Sequence, residues 1–104
     1  MNKQDRKGII QVDSAVSPTV ELDSSAHAAY VRFSNNIVDR TVEVTSCDCI
    51  VTVDLDSDGK TVGVELVGVT EFGIEPLLRK AGVRNIPPSY SQNTRYIPAA
   101  LQVA

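Results

Sequence analysis

The stretch DLDSDGKTVGVE, from Asp54 to Glu65, fits two incompatible structures. Its carboxylates at loop positions one, three and five (Asp54, Asp56, Asp58), glycine at six (Gly59) and glutamate at twelve (Glu65) satisfy the pattern of an EF-hand calcium loop. The same residues read as a β-hairpin. With Asp58-Gly59 as a two-residue turn, Leu55 faces Val62, Val53 faces Val64 and Val51 faces Leu66, three apolar pairs on one face. A three-residue loop would set Leu55 against Thr61 and bury nothing coherent. In the hairpin, Glu65 lies six residues beyond Gly59 on an extended strand, roughly 20 Å away at about 3.3 Å per residue, too far to close a cage. An EF-hand also needs flanking helices, and the β-branched CIVTV and TVGVELV are poor helix formers. The hairpin is the better reading, and only a weak, open cation contact at Asp54, Asp56 and Asp58 stays open. No metal ligand set and no cofactor are expected.

Working outward, the same period of two runs from Thr19 to Val67. Val20 and Leu22, then Ala29, Val31 and Phe33, then Val42 and Val44 fall on one parity, with Arg32, Glu43, Thr52 and Asp54 on the other. Short polar connections (DSSAH, NNIVD, TSCD, DSDG) separate the strands. The expected fold is α+β: a five-stranded, mostly antiparallel β-meander with one short helix packed on one face. The helix is placed near residues 74–82, because Ile74, Leu77, Leu78 and Ala81 recur at i, i+3, i+4 and i+7. Pro76 suits its first turn and Gly82 the position past its end. The organisation is then an N-terminal extension (1–18), the sheet and helix domain (19–82) and a tail (83–104). Prolines at 87, 88 and 98 argue against regular structure in that tail.

Totals limit function. The chain has 104 residues, 42% apolar and 22% charged, enough for one modest core. No apolar run approaches the roughly 20 residues of a membrane span, and the N-terminus lacks the apolar core of a signal peptide; a cytoplasmic protein is expected. Residues 1–72 hold six Lys/Arg against twelve Asp/Glu, residues 73–104 four against one, within a net charge of −3. An acidic body argues against nucleic-acid binding, while the basic tail suits an acidic surface. Cys47 and Cys49 would share the core face as buried thiols, and His27, the only histidine, sits in a polar turn. No catalytic grouping is evident, and the reading leans away from an enzyme.

The stretches VELDSSAHAAYVRFS (20–34), RTVEVT (40–45) and VTVDLDSDGKTVGVEL (51–66) resemble the family known as domain of unknown function 2283. The resemblance covers about half the chain and implies a fold without an established activity, the Asp-rich turn belonging to a hairpin. Some members lie beside small toxin-like proteins, which implies a partner role. Two functions remain. One is a non-catalytic protein-interaction module, homo-oligomeric, antitoxin-like or an accessory of a phage or mobile element, with Ile86, Tyr90, Tyr96 and Ile97 of the tail at the contact. The other is a small ligand-binding or hydrolytic protein using Tyr30, Arg32, Glu43 and Glu65 on the exposed sheet face.

Overall fold

A computed structural model describes residues 10–44 and 48–99. Cys47, the last residues of the tail and the first nine of the N-terminal extension lie outside the described residues. The strands are β1 (Thr19–Asp23), β2 (Ala28–Arg32), β3 (Arg40–Val44), β4 (Ile50–Leu55), β5 (Thr61–Val67) and β6 (Arg95–Pro98); the helices are α1 (Ile74–Lys80) and α2 (Tyr90–Asn93). The class is α+β, with a mixed sheet of six strands. No described helix is long and apolar enough to cross a membrane.

The strand order is β3-β4-β5-β2-β1-β6, which corrects the expected five-stranded meander. β2 pairs with β5 and not with β3, its successor in the chain, so β2 to β5 form a Greek key. Alternation marks the buried face of each strand but carries no information about its neighbour. What decides the pairing is the crossing segment 33–39. The amides of Phe33 and Ser34 donate to the Val62 carbonyl (2.8 and 3.2 Å), and the Asp39 amide donates to the Leu55 carbonyl (2.7 Å). The Asn36 side-chain amide donates to Asp56 Oδ2 at 3.0 Å. The crossing is thereby tied to the turn end of the β4–β5 hairpin.

That hairpin differs in register from the two-residue-turn reading. Val53 faces Val64 and Val51 faces Leu66 as expected, but Leu55 faces Thr61, with Val62 left over as a bulge. The Asp56 amide donates to the Lys60 carbonyl at 2.9 Å, closing a loop of Ser57, Asp58 and Gly59 in which Gly59 has φ +81°. The bulge reconciles an odd-length loop with the valine face: Leu55, Val62 and Val64 are all buried.

On one face of the sheet, Val20, Val31, Val64, Val53 and Val42 form one cross-strand row, and Leu22, Ala29, Leu66, Val51 and Val44 another. α1 lies over these rows, burying Ile74, Leu77, Leu78 and Ala81 as its periodicity requires. Gly82 follows with φ +93°. Ile10 and Val12 of the N-terminal segment and Val83 and Ile86 of the tail complete the cover, and Cys49 packs partly against it.

The tail has regular structure despite its prolines. β6 joins β1 in parallel, with Pro98 tolerated because it lies in an edge strand. Tyr90 is fully buried; its hydroxyl donates to the Asp13 carbonyl at 2.8 Å and its ring lies 6.4 Å from that of Phe33. Tyr96 reaches α1, where its hydroxyl accepts the Ile74 amide at 2.9 Å, serving a donor that Gly73 has no side chain to cap. The turn between β1 and β2 explains His27. It is the one described non-glycine residue with positive φ (53°), and its carbonyl accepts the amides of Gly68 and Val69.

Candidate functional site

The opposite face of the sheet carries no covering layer among the described residues, and its side chains follow from register. Glu43, Thr52, Glu65, Tyr30 and Glu21 stand in one row across β3, β4, β5, β2 and β1. Thr41, Asp54, Gly63, Arg32 and Thr19 form the adjacent row. Tyr30 leans from the first row into the second. Its ring passes over Gly63, where a Cβ would stand 2.1 Å from the phenol oxygen and 2.3 Å from Cζ. The hydroxyl then donates to Asp54 Oδ2 at 2.7 Å, one strand further on. Glycine inside a strand is otherwise unfavourable, and here it is what lets a tyrosine lie flat across β5.

Around this ring the polar groups satisfy one another. Thr41 Oγ1 donates to Asp54 Oδ1 at 2.6 Å, so both oxygens of that carboxylate are engaged. Arg32 Nε donates to Glu21 Oε2 at 3.0 Å, and its guanidinium carbon lies 5.0 Å from the Tyr30 ring centroid. Burial, then the bond to Asp54, pushes the Tyr30 phenol well above the ordinary tyrosine range, while the bond to Glu21 raises Arg32 further. The phenol therefore stays neutral as a donor and is no nucleophile or base near neutral pH.

Tyr30, Arg32 and Glu65 come together, with Glu21 and Asp23, around a shallow open depression of about 330 Å³. Glu43 does not join them. It is exposed on β3, two strands from Glu65 and roughly 10 Å away at the usual strand spacing. Asp54, Thr41 and Glu21 were missed as members of the cluster, because their convergence depends on strand neighbours. Gly63 was the available signal: glycine within an alternating strand marks a close approach.

The Asp-rich loop is consumed by the fold. Asp56 is buried, its Oδ1 accepting the amides of Asp58 and Lys60 (both 2.9 Å) and its Oδ2 the Asn36 side chain. The Lys60 amide, the Asn36 side chain and the Asp58 amide together hold its carboxyl below the usual range. With Asp54 committed to Tyr30 and Thr41, two of the EF-hand positions face protein donors. Among the described residues no group of three or more His, Cys, Asp or Glu side chains is placed to hold a metal ion.

Of the tail residues expected at a contact between subunits, Tyr90 lies inside its own chain, and Ile86 and Ile97 are half-buried; Tyr96 is 47% exposed. The tail is part of the fold before it can be part of an interface.

The geometry defines a two-layer α+β domain with one covered and one open sheet face. Residues 19–69, spanning β1 to β5, match the family model described as Protein of unknown function (DUF2283). The match contains the whole of the Tyr30 cluster and the antiparallel pairs β1–β2, β3–β4 and β4–β5, and it stops before α1. No curated protein and no solved structure matches the chain.

Proposed function

We propose that the protein is a non-catalytic interaction module that meets another polypeptide on the open face of the sheet and self-associates. The observation that carries this is the state of the polar groups. Asp54, Tyr30, Thr41, Arg32 and Glu21 are spent on each other, which builds a rigid surface and leaves no free acid, base or nucleophile at its centre. Around that centre Glu43 and Glu65 stay exposed, and they favour a partner with basic side chains. The open shape of the depression supports the same reading over a ligand pocket, which would be more enclosed. The resemblance supports one form of it, an antitoxin-like or mobile-element accessory protein whose partner is a different chain.

Affinity capture from the native host, with wild-type protein and the Glu43→Lys/Glu65→Lys variant side by side, tests it. Recovery of one polypeptide by the wild type, reduced at least about tenfold by the variant, is the expected result. Equal recovery by both, or a small molecule that raises the melting temperature where no polypeptide is enriched, would favour the ligand-binding alternative.

A further inference from the structure

The sheet has two outer strands, β6 and β3. β6 ends in Pro98, which has no N–H to offer a new strand. β3 is different: among the described residues its only strand neighbour is β4, and its outer backbone groups are unpaired by any strand. Of the four large apolar side chains exposed among the described residues, three lie beside it, and Tyr96 lies on β6. Ile37 (89% exposed) and Val38 (43%) precede its start, and Ile50 (57%) opens β4 next to its end. An exposed edge flanked by apolar groups invites another strand.

We propose that this strand is the β3 of a second copy, paired antiparallel about a two-fold axis centred on Val42, so that two sheets of six become one continuous sheet. This deepens the self-association part of the reading above and rests on it. The argument is charge register. A two-fold axis normal to the sheet keeps valine face with valine face, so every allowed pairing is centred on one residue. Centring on Arg40 sets two guanidinium groups opposite each other, and centring on Glu43 sets two carboxylates opposite. Centring on Thr41 sets Asp39 against Glu43 twice, and centring on Val44 runs most of β3 past the end of its partner. With Val42 at the centre, Val42 meets Val42, Thr41 meets Glu43 and Arg40 meets Val44; no like charges oppose, and all five residues of β3 are used. The same axis exchanges the two ends of the strand. Ile37 and Val38 of each copy are carried toward the Ile50 end of the other, which a parallel partner would not do.

Five paired residues and two small apolar patches make a modest interface, and a dissociation constant on the order of 10 μM is expected. Sedimentation velocity on the full chain, from about 1 to about 500 μM, reads it. Thr41→Lys places an ammonium opposite Glu43 of the other copy at two symmetric positions and should tighten the dimer several-fold; Thr41→Glu should weaken it several-fold. Both variants lose the Thr41 hydroxyl, but Lys attracts and Glu repels Asp54 of the same chain, so a thermal melt of each checks folding and a cross-link at position 42 reads the pairing independently. Mild oxidation of Val42→Cys should give a 42–42 disulfide found by peptide mapping, absent from Thr41→Cys and from the wild type with its native thiols. A monomer throughout that forms no 42–42 link overturns the proposal, as does a monomer that binds a different polypeptide at β3. A dimer indifferent to both Thr41 variants and without the link overturns the edge pairing alone. Partner capture on the open face by the wild type should persist at about 0.1 μM, well below the dimer's dissociation constant, which separates failure here from failure of the broader reading.

Discussion

The two faces of this sheet are built on opposite principles. The covered face is a field of aliphatic side chains, Val20, Val31, Val51, Val53, Val64 and Leu66, each fully buried. It is held by non-directional burial, so any β-branched residue of similar size would serve. The open face is a small set of directed contacts in which Tyr30 must cross Gly63 to find Asp54, and Arg32 must find Glu21. One face tolerates exchange of its members and the other does not, although both derive from the same period of two. The segments that cover the first face (Ile10, α1 and Tyr90) lie outside residues 19–69, whereas the Tyr30 cluster of the second is wholly inside them. The difference teaches that the family-matched stretch specifies a surface, and the rest of the chain supplies the cover.

The comparison can be broken most forcefully on the covered side. Val53→Asp places an unpaired charge where nothing is exposed to water, and a loss of about 4 kcal/mol or more is expected in denaturant unfolding, a large share of a small domain's stability. Retention of a cooperative melt near the wild-type temperature would mean the faces are inverted.

On the open side the sharper test is Gly63→Ala. The added methyl group must displace the Tyr30 ring and part its hydroxyl from Asp54, for an expected cost of about 2–3 kcal/mol. In a Tyr30→Ala background the same change should cost under about 0.5 kcal/mol, since only glycine's flexibility is then removed. Equal costs in both backgrounds would show that the ring does not depend on the glycine.

Asp56 joins the two sides at the hairpin end, and acid should reveal it. Its folded carboxyl titrates below an unfolded aspartate, so its contribution is fully present above about pH 4 and is lost as pH falls through the lower folded value. Asp56→Asn should lower the melting temperature at neutral pH, and the gap from wild type should narrow on acidification. A gap that widens below pH 4 would contradict the assignment.

The smallest effect expected is that of calcium. A site occupied at one hundred times its dissociation constant would add about 2.7 kcal/mol, whereas the engaged carboxylates of Asp54 and Asp56 predict almost no change in melting temperature at millimolar calcium. A clear rise, abolished by Asp56→Ala, would show that the loop trades its internal donors for a cation.

Which residues face inward was legible in advance, because burial in a strand or a helix depends on local spacing alone. Val53 opposite Val64, the helix over Ile74, Leu77 and Leu78, and Gly82 past its end all follow from that periodicity. The Tyr30 cluster was half legible: Tyr30, Arg32 and Glu65 meet, while Glu43 stands apart and Asp54 enters from β4. The tail was misjudged, since proline frequency describes a strand interior and β6 is an edge.

The sequence by itself determined β1 to β5, their inward faces, the helix α1 and the presence of a turn in the DSDG stretch, all of which are set by interactions between residues close in the chain. Only the tertiary structure decided that β2 neighbours β5, that Val62 bulges, that Tyr90 is interior and that β6 lies beside β1. The physical reason is one of range. Those outcomes depend on hydrogen bonds between partners far apart in sequence, such as Asn36 with Asp56 and Tyr90 with Asp13, and no local pattern records which distant donor will meet which acceptor.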